Sequence, residues 1–391
     1  MATAAGAKSV MISPVRKLLG FGQSPWLDFI QRRLLKSGEL ERMIDEWGVR
    51  GVTSNPVIFD KAIAHTHDYD SEITRLAEAA KSAAEIYEAL AVEDVRGAAE
   101  LLLPVYRETD GADGFVSLEV SPHLARDPER TISEAKRLWT ALDRPNVMIK
   151  VPGTREGLTA IRSLLADGIN VNVTLLFSID RYREVLETYF EGIEAALAAG
   201  RAVERIASVA SFFLSRIDTL IDRELDRLAA SDDARGRRAA SLRGEAAIAS
   251  ARVAYGVFEE SLVSERFLRL HAHGARAQRL LWASTGTKDP TYSDIKYVEP
   301  LIGPHTINTM PLATLEAYHR HGQPRTRLAE GRQRAERVLR ALADFEIDLD
   351  MVTARLLDEG LDKFVQPYDA LLNALETTRQ ARSVAAKTVH A

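Results

Sequence analysis

The 391-residue sequence contains no cysteine. That absence excludes disulfides, Cys-zinc sites, iron–sulfur clusters and thiol catalysis. No apolar run approaches the roughly 20 residues that a bilayer span requires. Neither sign of charge dominates: 51 Lys and Arg against 56 Asp and Glu leave a net charge of −5. This argues against a nucleic-acid binder and against a membrane partner, but leaves room for one local phosphate pocket. No histidine cluster offers a metal site, and nothing in the chain requires a cofactor. The start, MATAAGAKSVMISPVRKLLGFG, has no continuous apolar stretch. Residues 1–22 therefore read as a flexible lead-in to a cytoplasmic protein, with an amphipathic transit peptide as the alternative.

What is present is ordinary globular material, 46% hydrophobic and 27% charged, enough to bury a large core. Eight short β-like runs alternate with helical periodicity. They cover residues 25–30, 49–54, 114–120, 146–152, 169–177, 205–211, 279–284 and 305–310. Eight strand–helix units predict a parallel (β/α)8 barrel over residues 23–391, with an open doubly wound sheet as the competing architecture. Residues 60–113 and 217–278 each hold more than one extra helix. After the last strand come several more, broken at residues 321–324 (HGQP), and these are expected to pack back onto the barrel.

A parallel strand covered on both faces should be almost wholly apolar. Several of these are not, and polar residues two apart share a face. Asn172 and Thr174 fall on one face, as do Ser117 and Glu119. Lys150, Asp28 and Thr53 sit in three further strands, and Asn55 follows Thr53 closely. Buried singly, each would cost a few kcal/mol; five such strands predict a shared polar cavity at their C-terminal ends. Lys150 there is either a lysine that snorkels to water or an amine nucleophile, since desolvation favours the free amine that attacks a ketone. Asp28 and Glu119 are the candidate acid and base, unless one merely pairs with Lys150. Asn55, Asn172, Thr174 and Ser211 would hold substrate hydroxyls and a water, or else bond to one another inside the barrel. The stretch STGTK at residues 284–288, with Ser284 and Lys288, provides donors for phosphate, and Arg216 is a second candidate.

Three stretches then carry a family resemblance. GVTSNPVIF at residues 51–59, VMIKVPGTREGL at 147–158 followed by GINVNVTLLFS at 168–178, and WASTGTKDPTYSD at 282–294 with INTMP at 307–311 resemble the transaldolases, in particular their longer microbial branch. The resemblance implies a class I aldolase barrel acting in the non-oxidative pentose phosphate pathway without a cofactor. Such an enzyme moves a dihydroxyacetone unit from sedoheptulose 7-phosphate to glyceraldehyde 3-phosphate. It implies Lys150 as the Schiff-base lysine, Asp28 as the residue handling the donor C4 hydroxyl proton, and Glu119 as acting through a water held with Thr174. Thr53 would line the site; Asn55, Asn172 and Ser211 would orient the dihydroxyacetone part; Arg216 and Ser284 would bind phosphate. Where some relatives carry an arginine two residues after that serine, this chain has Gly286, so Lys288 is expected to replace it. A simple fructose-6-phosphate-type aldolase and a non-catalytic sugar-phosphate-binding barrel are the alternatives. The expected partners are sugar phosphates, and the expected state is monomer or homodimer.

Overall fold

A computed structural model describes residues 12–231 and 233–389, with side chains to residue 381. Eight parallel strands close into a barrel in chain order. They are β1 (Gln23–Leu27), β2 (Gly51–Thr53), β3 (Phe115–Glu119), β4 (Val147–Pro152), β5 (Val171–Leu176), β6 (Ser208–Phe213), β7 (Arg279–Ala283) and β8 (Thr306–Met310). All eight predicted strands are present. Pairing of β1 with β8 closes the ring, which decides for the (β/α)8 barrel over the open sheet.

Residues in register on neighbouring parallel strands point to the same side. Trp26 is abreast of Gly51, and Gly51 of Phe115; Ser117 is abreast of Met148, and Glu119 of Lys150 and then Asn172. The interior is therefore graded. Trp26 and Phe115 fill the lower part, Met148 and Ser117 lie above them, and Glu119, Lys150 and Asn172 lie above those. Beneath the apolar layer, Asp113 accepts hydrogen bonds from Ser24, from Trp26 Nε1 at 3.0 Å and from Arg279 at 3.1 Å. This seals the N-terminal end of the barrel.

At the other end, the turns that leave β2, β4 and β5 finish in side-chain N-caps. Asn55, Thr154 and Ser178 each accept a hydrogen bond from a first-turn backbone N–H, starting the helices Pro56–Ala64, Arg155–Ala166 and Ile179–Ala198. The long connection after β2 adds the helices Asp70–Glu78 and Ala83–Glu108. The break near residue 322 ends the helix Leu312–His321, and the last helix runs from Leu349 to Val389.

Six strands lie within the ranges read from the sequence, each shorter by one or more residues, and two are shifted along the chain. β1 begins at Gln23 and stops before Asp28, because Gln23 and Ser24 are polar yet buried in floor hydrogen bonds, while Phe29 and Ile30 pack beyond the strand. β6 runs on through Phe212, whose ring meets Trp282 edge-on at 6.4 Å, and through Phe213. Of the expected lead-in, residues 1–11 lie outside the described residues. Pro14–Lys17 form a helical turn that buries Val15.

Gly51 shows how tightly the lower layer is filled: a Cβ there would stand 2.4 Å from the Trp26 indole. Gly51→Ala is expected to cost about 1–3 kcal/mol by overpacking. An unchanged midpoint in chemical denaturation would contradict this account of the layer.

Candidate active site

Where the strands end, a cavity of about 330 Å³ opens, within the range of small-molecule sites. Asp28, Thr53, Asn55 and Lys150 line one part of it; Ser211, Arg216, Ser284 and Lys288 line the rest. The three other residues singled out in the sequence, Glu119, Asn172 and Thr174, are buried beside Lys150 on the strands flanking it.

Lys150 is central. Its side chain is 5% exposed, and Nζ stands 3.2 Å from Glu119 Oε2. Nζ also donates to the Ser54 carbonyl at 3.1 Å. The snorkelling alternative is thus excluded: the amine points inward. Burial raises the Glu119 carboxyl above the ordinary carboxylate range, and the Lys150 charge opposes that rise. The Asp28 carboxyl is raised too, again by burial, with Lys150 and the hydrogen bond from Thr53 pulling the other way. Thr53 Oγ1 donates to Asp28 at 2.6 Å and lies 2.7 Å from Thr309 Oγ1.

The amides and hydroxyls divide into committed and free. Ser211 donates to Asn172 Oδ1 at 2.7 Å, and Asn172 donates to Ser117 at 3.0 Å. This chain braces the layer that holds Lys150. Asn55 Oδ1 caps its helix at 3.1 Å, which leaves its amide nitrogen for the cavity it lines. Thr174 Oγ1 is buried without a hydrogen-bond partner, and neither Glu119 oxygen accepts a directed hydrogen bond among the described residues. Unpaired buried oxygens are costly, so these atoms are poised for an added donor.

The mouth is cationic. Arg216 opens the helix Ser215–Ala229, directly after β6, and its buried Nη1 has no hydrogen-bond partner among the described residues. Desolvation presses its pKa down; Lys288, at the exposed rim, is lowered by lost hydration and by the Arg216 charge. The two phosphate candidates converge. Ser284 Oγ lies 2.9 Å from Ser215 Oγ, and the Ser284 carbonyl accepts from the Ser215 N–H at 3.1 Å. Ser284 has φ 53°, a strained conformation for a residue with a side chain, of the kind found at functional sites.

Reading the sequence missed Lys61, Phe213, Thr309 and Phe364, all of which line the cavity. Thr309 had a signal, a hydroxyl inside an otherwise strand-like run. Lys61 and Phe364 had none, since a lysine on a helix reads as surface and a phenylalanine on an amphipathic helix reads as core.

The fold and site define the class of protein: a parallel (β/α)8 barrel with a buried lysine paired to a glutamate, in one cavity with an aspartate, beneath a cationic mouth. Residues 25–375 match the transaldolase/fructose-6-phosphate aldolase family. The chain is 47% identical to a protein named transaldolase from Trichodesmium erythraeum, over 91% of this chain and 94% of that one. It is 47% identical to the transaldolase of Thermobifida fusca over 97% and 100%, and 48% identical to that of Thiobacillus denitrificans over 90% and 96%. The chain belongs to the transaldolase/fructose-6-phosphate aldolase family.

The raised Asp28 carboxyl has a thermodynamic consequence. The folded protein prefers it protonated, so the associated stability is full below the unfolded pKa and is lost as pH rises through the folded one. Asp28→Asn keeps the acceptor for Thr53 and removes the charge. It is expected to be more stable than wild type at pH 7, the difference closing as pH falls towards the ordinary carboxylate range. A lower melting temperature for Asp28→Asn at pH 7 would refute the assigned burial cost.

Proposed function

We propose that the protein is a transaldolase that moves a dihydroxyacetone unit from sedoheptulose 7-phosphate to glyceraldehyde 3-phosphate, giving erythrose 4-phosphate and fructose 6-phosphate. One observation carries the reading: an inward Lys150 amine 3.2 Å from Glu119, in one cavity with Asp28. Membership of the family supports it.

In this reading, the Lys150 amine adds to the C2 ketone of the donor. Loss of water from the carbinolamine gives an iminium. Glu119, held above the usual carboxylate range by burial, carries the protons of these steps through a water that Thr174 also holds. The orphaned oxygens of both residues fit that water. Asp28 then takes the proton of the C4 hydroxyl as the C3–C4 bond breaks, and the electron pair passes into the iminium. Erythrose 4-phosphate leaves, and the resulting enamine waits for glyceraldehyde 3-phosphate. Its carbon adds to the aldehyde, Asp28 returns the proton, and water releases fructose 6-phosphate. A base works best with a pKa near the working pH, which is the direction in which burial moves Asp28. Asn55, Asn172 and Ser211 orient the dihydroxyacetone part, with Ser211 held by its bond to Asn172. Arg216, Ser284 and Lys288 hold the phosphate, with Lys61 as a further cation, and Lys288 supplies a point charge where an arginine would give a fork. Sugar-phosphate substrates accord with the cytoplasmic setting expected from the sequence.

Borohydride added with a ketose phosphate donor is expected to trap a covalent adduct in wild type and none in Lys150→Ala, whose formation of fructose 6-phosphate should fall at least about 10³-fold. An adduct in Lys150→Ala would reassign the nucleophile. The acid limb of kcat/KM should lie above the ordinary carboxylate pKa of about 4, because an ionised, upshifted Asp28 is required; a limb at or below that value counts against Asp28. Lys288→Ala is expected to raise KM about tenfold or more with a smaller change in kcat, and an unchanged KM would remove Lys288 from the phosphate site.

A further inference from the structure

The C-terminal helix, Leu349–Val389, does more than decorate the barrel's outer ring. It packs on the helices Pro56–Ala64, Asp70–Glu78 and Ser215–Ala229 and on the end of β5, and so crosses the face where the cavity opens. One of its side chains reaches the site. Phe364 is 3% exposed and lines the cavity, with its ring centroid 5.7 Å from Lys150 Nζ. Gly360, one turn earlier, permits the approach: a Cβ there would stand 3.1 Å from Leu175 Cδ2 and 3.6 Å from Arg216 Nη1. Contacts on both sides of Phe364 fix the helix along its length. Asp358 pairs with Arg126 at 2.6 Å, Asp369 with His123 at 2.7 Å, and Tyr368 meets Tyr87 edge-on at 5.3 Å.

We propose that Phe364 is the specificity-determining residue that keeps water from the dihydroxyacetone carbanion held on Lys150, so that the unit is transferred and not released. The inference rests on the transaldolase reading. Two fates compete for the enamine. Its carbon can attack an acceptor aldehyde, forming the new carbon–carbon bond while Asp28 supplies a proton to the aldehyde oxygen. Alternatively, the carbon takes a proton from water; a second water then adds across the carbon–nitrogen double bond, the lysine amine is expelled, and free dihydroxyacetone leaves. Both fates use the same intermediate. What separates them is whether water can stand beside the reacting carbon. An aromatic ring offers such a water no hydrogen bonds, so occupancy there is disfavoured. Truncating the ring leaves the amine, both carboxylates and the cationic mouth in place while opening the cover.

The test uses the full chain with fructose 6-phosphate as donor, with and without erythrose 4-phosphate as acceptor. Free dihydroxyacetone and sedoheptulose 7-phosphate are both measured. Their ratio comes from one intermediate and is independent of how much enzyme is folded, so a merely structural role would not move it. Phe364→Ala and Phe364→Gln are expected to raise the ratio of release to transfer about tenfold or more, and Phe364→Leu, apolar and bulky, to hold it within about twofold of wild type. Phe364→Gln is close to phenylalanine in length and guards against loss of fold. A ratio unchanged in whichever of Phe364→Ala and Phe364→Gln still forms the borohydride adduct overturns the proposal. Absence of any adduct in wild type would instead sink the transaldolase reading, and the inference with it.

Discussion

An ammonium and a carboxylate removed from water each cost several kcal/mol unless they meet in good geometry, and breaking such a pair costs about 3–5 kcal/mol. Lys150 and Glu119, 3.2 Å apart with side chains 5% and 3% exposed, are such a pair, and the barrel is arranged around them. They meet because β3 and β4 are in register at these two residues. A slip of one residue between those strands would turn one of them towards the surrounding helices. The packed lower layer keeps water from reaching the pair from beneath, and the Ser54 carbonyl accepts a hydrogen bond from Lys150 Nζ. The chain Ser211–Asn172–Ser117 ties β6 and β5 to β3 and so braces the strands on either side of Lys150.

The two carboxylates are raised for the same reason, burial, yet their surroundings differ. Glu119 is tied to the amine and otherwise unpartnered. Asp28 is held by Thr53 and feels the positive charges of Arg216 and Lys288 as well as that of Lys150. Unequal environments let two groups of one kind take separate proton-transfer roles, and the proposed reaction needs that division: one group serves the carbon–nitrogen steps and the other the carbon–carbon steps. The mouth contributes electrostatics of the opposite sense. A guanidinium with a buried, unpaired nitrogen is costly until an anion arrives, and an arriving phosphate offers strong charge-assisted hydrogen bonds.

Two of the surrounding helices complete this arrangement. The helix after Asn55 contributes Lys61, and the C-terminal helix brings Phe364 over the amine. The barrel positions the reacting groups, and later elements decide what else can stand beside them. Ser284 carries its share in backbone strain, with φ 53° at the end of β7, where its hydroxyl reaches Ser215 at the start of the neighbouring helix.

The polar core of the cavity was legible in the sequence because a strand's alternation is a local rule. Glu119, Lys150, Asn172 and Thr174 are polar residues in apolar strands, and their spacing alone predicts a shared interior face. The number of strands and the cavity at their C-terminal ends follow from the same reading. The ends of β1 and β6 did not, because Gln23 and Ser24 look like loop residues until Leu301, Thr306 and Asp113 are seen to satisfy them. Phe364 and Lys61 were illegible for a similar reason. A phenylalanine on an amphipathic helix reads as core and a lysine as surface, and no local rule says which face will meet the barrel mouth. Sequence alone determined which groups would be forced together inside the ring, since burying them apart is too costly; the tertiary structure decided what covers them, since that depends on contacts between segments more than two hundred residues apart.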